Sequence, residues 1–503
     1  MNINALQYHN LTSYQRNEIP QHFLDWKNQP STFKIYPGIE LIRLPKVDQL
    51  GEDNLSDVFK GCHGMEDKRV PDITDLSKIL LMAYTITAKS AHGDGYQYYR
   101  SVASAGALYP TEIYVATHAV KGVKDGLYHF SIAGHALVPL RGGNVSEFVI
   151  DALFNTPEKY PSLTFFFTAI FFRSSWKYRE RAYRYHLLDT GHLIANMEVA
   201  LHLQDFPFHL LLDFADLKMN WLLGLDQDRE VTLAICYIPG TEIVPHEDTE
   251  KQSEELETTF KEAGSVSNKE TRYPAIQDIH RAGMIQVSVS QAGSTLPKST
   301  VKTGLKNIEI EAPGAWPEIL NAKETLCHRR SRRNFIPTPL SDLCFSSLLE
   351  CLDVGGVEAV SSPGDLTTFP HMAFIVANVV GLEPGIYFRD GSTHSLQLTT
   401  EGLFAESMAR ICLDQMWMAN AAVHFLFIGE LGDVDTFQGP RGYRYLMIKA
   451  GLLGEKLYLA ATAMGLGCCG IGAFYDGEAS QLLALKEGAR LLYLIALGPV
   501  KSI

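Results

Sequence analysis

Two long stretches of the chain carry apolar residues at helical spacing. In "YRYLMIKAGLLGEKLYLAATAM", Leu446, Leu453, Leu457, Ala460 and Ala461 recur at intervals of three, four and seven, with Lys and Glu between them, which predicts a helix. Two other stretches, "EVTLAICYIPG" and "ARLLYLIALGPV", are continuous apolar runs, the pattern of strands covered on both faces. Directly after the helical stretch stands "GLGCCGIGAF", where Gly465, Gly467 and Gly470 spell G-x-G-x-x-G. A dinucleotide-binding turn needs a strand before these glycines and a helix after them, and here the order is reversed. Gly465 therefore reads as the residue that ends the helix, and Gly467 to Gly472 as the side-chain-poor start of a strand.

The pattern is written twice. Tyr183-Arg184-Tyr185 recurs as Tyr443-Arg444-Tyr445 at a shift of 260 positions, and the same shift carries Gly191 onto Gly451 and Leu222, Leu223 and Leu225 onto Leu482, Leu483 and Leu485. Upstream, "ASAGALYP" and "GLYHF" resemble "SSPGDLTTFP" and "GIYFR". Each half reads helix, strand, long helix and closing strand pair, so the fold class expected is α+β, duplicated. The boundaries expected are a first domain over 1–245, a charge-, Ser- and Thr-rich linker region over 246–312, and a second domain over 313–503.

With 503 residues, 46% hydrophobic and 20% charged, the composition is that of a globular protein too long for one ordinary core. A formal charge of −13 argues against general binding to nucleic acid or to anionic membranes, so any anion site must be a local cluster. The start of the chain lacks a signal pattern and no run of 18 apolar residues occurs, so a cytoplasmic protein is expected. The eight cysteines contain no C-x-x-C and read as reduced and mostly buried; no metal site is expected.

Four stretches, "CHRRSRRNF" with "PLSDL", "SAGALYPTEIYV", "KYRERAYRYHLLDTGH" and "GLGCCGIGAF" with "LIALG", together resemble the nitroreductase-like FMN-dependent superfamily. Within it the chain is most similar to the SagB/ThcOx branch of azoline-oxidising dehydrogenases. The resemblance implies helix-wrapped antiparallel sheets working as a dimer, with FMN held across the interface. Two nitroreductase-like domains in tandem then imply an intramolecular pseudo-dimer, compatible with a monomeric chain.

Each motif carries its own chemistry. "HRRSRRNF" places Arg329, Arg330, Arg332 and Arg333 around Ser331, and a phosphate needs several guanidinium donors and a hydroxyl. Taken alone, such a run more often marks a solvated basic helix end. With the resemblance, Arg329, Ser331 and Arg333 become phosphate ligands, with Arg330 beside them and Arg332 facing outward. The turn Ser104, Ala105, Gly106, Ala107, Leu108 and Tyr109 has small side chains that let backbone N–H groups and the Ser hydroxyl approach a flavin. Gly467, Cys468, Cys469, Gly470, Ile471 and Gly472 are expected over one flavin face, with the glycines making room for the flat ring.

Lys177 and Tyr178 match the branch's Lys-Tyr pair. The resemblance implies that one of them removes a proton while hydride passes to flavin N5, and Lys177 would need its pKa lowered, a task for Arg179 and Arg181. Tyr183, Tyr185, Asp189 and His192 also match, and are assigned structural roles. The repeat-related stretches are degraded: "GCHGMEDKR" has no arginine cluster, "SSPGDLTTFP" adds Asp365, "DFPFHLLLDF" is bulky, and Gly439-Pro440 replaces the Lys-Tyr pair. One composite site is therefore expected, acting on a small-molecule or peptide substrate. Two other functions remain open at this point: an NAD(P)H-dependent nitro- or quinone reductase, and a flavin-free peptide-binding scaffold.

Overall fold

The computed structural model describes residues 3–18, 23–47, 50–60, 69–92, 95–154, 157–242, 262–286, 304–353, 370–389 and 395–501. "GCHGMEDKR" up to residue 68 and "SSPGDLTTFP" up to residue 369 lie outside the described residues.

Two seven-stranded antiparallel sheets repeat one another strand for strand. The first runs, in spatial order, Ile42–Arg43, Ala136–Gly142, Gly126–Ser131, Thr111–Thr117, Lys159–Ile170, Glu230–Glu242 and His209–Leu211. The second runs Lys306–Glu309, Ser395–Glu401, Gly385–Arg389, His371–Val376, Val423–Glu430, Ala489–Gly498 and Gly467–Ile471. The two closing apolar runs lie inside their sheets, second from one edge, and every residue from Leu491 to Leu497 is buried. Coverage on both faces is why they show no alternation.

The long helices span Ala182–His202 and Arg441–Ala463. The second ends as the sequence indicates: Gly465 adopts φ +72° and its N–H bonds the Thr462 carbonyl. Its polar residues do not face water. Lys449, Glu455 and Lys456 are all buried, because this helix packs on its repeat-related partner. Where the two cross, a Cβ on Gly191 would overlap the Ile448 carbonyl oxygen, and one on Gly451 the Leu188 carbonyl oxygen. The repeated glycine is the closest-approach point of an internal two-fold, which explains its recurrence at the same shift.

Two exchanged ion clusters flank that crossing. Arg181 and Arg184 of the first half both bind Asp476 of the second at 2.7 Å, while Arg441 and Arg444 of the second bind Asp216 of the first at 2.6 and 2.8 Å. All six side chains are buried. Removing one partner of such a cluster leaves an uncompensated charge in the interior, which costs several kcal/mol. Two short helices complete the clusters. Ala5–Leu11 brings His9 to Asp476 and Tyr443, and Pro274–Ala282 brings His280 to Arg444 and Tyr183.

The stretch 246–312, expected as linker, thus holds a helix with Ile276 and Ile279 in the core, and the strand Lys306–Glu309 at the edge of the second sheet. Its charge-rich composition hid these elements, since two isoleucines are the helix's main apolar anchors. No helix among the described residues is long and apolar enough to cross a membrane.

Candidate functional site

At the junction of the two halves lies a cavity of about 600 Å³. From the first half it is lined by Ser104, Gly106, Ala107, Leu108, Tyr109 and Lys177, and from the second by Arg329, Arg330, Ser331 and Arg333. Three of the four sequence motifs meet here. A further wall of Leu24, Trp26, Gln29, Gln97, Tyr99 and Trp176 was missed by sequence reasoning. Trp26 stands on a single three-residue turn of helix and Tyr99 in a two-stranded ribbon, and neither lies in a repeated motif. The signal that could have found them is two aromatic positions without repeat-related counterparts.

The turn from Ser104 to Tyr109 is held under strain. Gly106, Ala107 and Tyr109 have φ of +65°, +54° and +48°, a region that costs a non-glycine residue about 1–2 kcal/mol. The Ser104 hydroxyl donates to Asp189 and accepts from the Tyr109 N–H, and the Ala105 N–H also turns to Asp189. The Ser104 hydroxyl, expected to bond a flavin edge, thus spends its proton on Asp189 and one lone pair on the Tyr109 N–H, which leaves a single lone pair for a ligand. Burial raises the Asp189 carboxyl to about 7, against the opposing pull of these hydrogen bonds.

The turn sits against the Lys-Tyr pair, which ends the helix Phe171–Tyr178. A Cβ on Gly106 would stand 2.7 Å from the Tyr178 hydroxyl oxygen and 3.3 Å from Lys177 Nζ, so only glycine permits this approach. The Lys177 pKa is lowered, first by burial and then by Arg333. The cation beside it therefore comes from the other half of the chain. Arg181, expected in that role, is turned away to Asp476 and the Gly472 carbonyl, and Arg179 is not among the causes. Burial also raises the Tyr178 pKa, so this phenol is a proton donor or a dipole and not a phenolate.

The arginines divide their work. Arg329 is buried, and it donates to the carbonyls of Ser101, Arg100 and Val102 in the first half. Its Nη1 is buried without a hydrogen-bond partner. Arg330 reaches the Thr87 carbonyl, Arg333 is exposed over the Trp417 ring, and Arg332 is drawn to Asn334 and the Lys501 carbonyl, outside the cavity lining.

Gly467 to Gly472 stand behind this loop and are not among the cavity lining. Ser331 bridges to Cys468, and the Tyr458 hydroxyl joins Ser331 to the Gly470 N–H. The expectation that these glycines leave room for a flat ring takes a different form here. The Cβ of Gly467 would strike Val500, that of Gly470 the Tyr493 hydroxyl, and that of Gly472 the Tyr185 ring. In the repeat-related strand, Phe206 and Phe208 are buried and Leu210 and Leu212 replace Gly470 and Gly472. Among the described residues no cluster of His, Cys, Asp and Glu could hold a metal.

The fold and this junction define a class: two joined α+β domains sharing one strongly cationic cavity. The chain belongs to the nitroreductase family, which it matches over residues 66–240 and again over 326–499. It is 31% identical over 190 residues to a protein of Methanocaldococcus jannaschii assigned as a nitroreductase, covering 37% of this chain and 94% of that one. A crystal structure from Anabaena variabilis, assigned to the same class, superposes over 99% of both chains with a TM-score of 0.78 at 26% identity. The Escherichia coli microcin synthetase complex, bound to truncated pro-microcin, is similar at 17% identity and a TM-score of 0.31 over 48% of this chain and 94% of that one, too slight a likeness to bear on function.

Proposed function

We propose that this nitroreductase-family protein is an FMN-dependent dehydrogenase of the SagB/ThcOx type, oxidising an azoline or related heterocycle in a peptide or small molecule. The observation that carries the reading is the meeting of Lys177 and the Ser104–Tyr109 turn from one half with the Arg329–Arg333 loop from the other in a single cavity.

The residues present fit a flavin phosphate. Four cations line the cavity with no carboxylate among the lining residues, and Arg329 Nη1 is a buried donor without a partner. Arg329, Ser331 and Arg333 would hold the phosphate, with Arg330 alongside. Gly106 and Ala107 would approach the ring, with Cys469 and Gly470 at its margin. When bound, FMN supplies the acceptor for a hydride and so the oxidising power.

The chain's own part is proton chemistry and shape. Lys177, with its pKa held down by burial and by Arg333, takes the proton that leaves substrate carbon. Tyr178 donates a hydrogen bond from the adjacent position. Trp26, Tyr99 and Trp176 form an apolar wall that receives the substrate and excludes water. The decisive experiment incubates the FMN-loaded protein with a thiazoline or oxazoline peptide in air. Oxygen-coupled oxidation, without bleaching of the flavin by NAD(P)H, supports the reading. Bleaching by NAD(P)H with no azoline turnover would replace it with a nitro- or quinone reductase, and failure to take up flavin would favour the scaffold.

A further inference from the structure

Behind the cavity runs a buried polar line that the proposed reaction does not use. Glu455, on the second long helix, is fully buried. Its Oε2 bonds His192 Nδ1 of the first half and stands 3.5 Å from the Ala103 N–H, at the start of the strained turn. Its Oε1 makes no hydrogen bond and lies 3.5 Å from Arg329 Nε. On the far side, His192 Nε2 meets the Tyr493 hydroxyl at 3.0 Å, and that hydroxyl occupies the space where Gly470 would carry a Cβ. Because a carboxylate only accepts, Nδ1 of His192 carries the proton toward Glu455, while Nε2 pairs with the Tyr493 hydroxyl. One continuous line thus runs from Arg329 and the turn, at the cavity, to the Gly470 strand behind it.

The line has no repeat-related copy. At the repeat-related positions stand Leu452 for His192 and Ala195 for Glu455. Ala234 takes the place of Tyr493, since it stands opposite Phe167 as Tyr493 stands opposite Phe427. All of these are apolar and buried. A buried carboxylate is costly unless it is paired, so its presence on one side alone calls for a task on that side.

We infer that Glu455, with His192 and Tyr493, is the positioning residue of the composite site. It holds the Nε edge of Arg329 and the Ala103 N–H so that Arg329 Nη1 and the turn keep their places in the cavity. This rests on the reading of the cavity as an FMN site. Two effects of removing the charge oppose each other. Loss of a carboxylate beside Arg329 makes the cavity more cationic, which by itself tightens an anion, while loss of the anchor lets Arg329 and the turn shift, which weakens it. Positioning requires that the second effect win.

The test is titration of apoprotein with FMN, read by quenching of flavin fluorescence, for the wild type, Glu455→Gln and Tyr493→Phe. Asp216→Asn serves as a control that weakens the other side of the interface. Weakening on the order of tenfold in Glu455→Gln, the scale of one charge-assisted hydrogen bond, is expected. A smaller weakening is expected in Tyr493→Phe, which loses one oxygen and carries the test if Glu455→Gln does not fold. Asp216→Asn should lower Tm and leave FMN affinity unchanged. Unchanged or tighter binding in both site variants, or equal weakening in Asp216→Asn, overturns the inference. Failure of the wild type to bind FMN would instead overturn the reading of the cavity, and the inference with it.

Discussion

Arg329 Nε donates to the carbonyl of Ser101 at 2.7 Å, joining the arginine loop of the second half to the strand end that precedes the turn of the first. The cavity is therefore not a pocket in either domain but a product of their docking. Arg333, exposed on the same loop, contacts Trp417 and Cys469 of its own half. Arg333→Ala should keep the fold and lower FMN retention, measured as the flavin-to-protein absorbance ratio after gel filtration. Retention equal to wild type would assign Arg333 to the surface.

Lys177→Ala should keep FMN and lower substrate oxidation on the order of 10²–10⁴-fold, the usual cost of losing a general base. The wild-type rate should rise with pH through a pKa below the ordinary lysine value of 10.5, because the base must be neutral and both burial and Arg333 favour the neutral form. Rates independent of pH from 6 to 10, together with near-normal turnover of Lys177→Ala, would remove the role.

Gly106→Ala places a methyl group against the Tyr178 hydroxyl and forces alanine into a left-handed conformation at φ +65°. The conformational cost is about 1–2 kcal/mol. A fall in Tm with a disproportionate loss of turnover is expected, since the methyl displaces the Lys-Tyr pair. Turnover lost only in proportion to folded protein would make the glycine a folding device alone.

How far the chain could be read beforehand follows from what kind of signal each feature leaves. The duplication, the helix end at Gly465 and the doubly covered closing strands were legible, because they rest on period and spacing. The arginine loop and the turn were legible as motifs, and the cavity brings them together. The partner of each polar group was not. Nothing local says that Arg181 turns to Asp476, that Arg333 of the other half is the cation beside Lys177, or that Asp189 claims the Ser104 hydroxyl. These are contacts between residues 85 to nearly 300 positions apart. One trace was read only in part: besides Arg184 and Arg444, Arg181 and Asp216 recur as Arg441 and Asp476 at the same shift of 260, which is how an exchanged cluster writes itself twice. The helix Pro274–Ala282 was hidden by its charged surroundings.

Asp189 gives a pH signature. Its carboxyl is raised in the folded protein from an ordinary 3.8 to about 7, mainly by burial. The native state thus holds that proton more tightly than the unfolded one. The resulting stabilisation is complete below about pH 4 and is lost as pH rises through about 7. Asp189→Asn does not titrate, so the Tm of the wild type relative to this variant should fall between pH 4.5 and 7 and stay level above 8. A constant difference across that range would mean that Asp189 keeps an ordinary pKa.

The composite cavity predicts its own number. Every motif that lines it is intact, while the repeat-related strand carries Phe206, Phe208 and Leu210, and the buried line through Glu455 has only apolar counterparts. The most direct test is the amount of FMN released on denaturation of the saturated, gel-filtered protein, per mole of chain. A ratio near one is expected, with none bound by either half expressed alone. A ratio near two, or a separate half that retains flavin, would contradict a single site built by both halves.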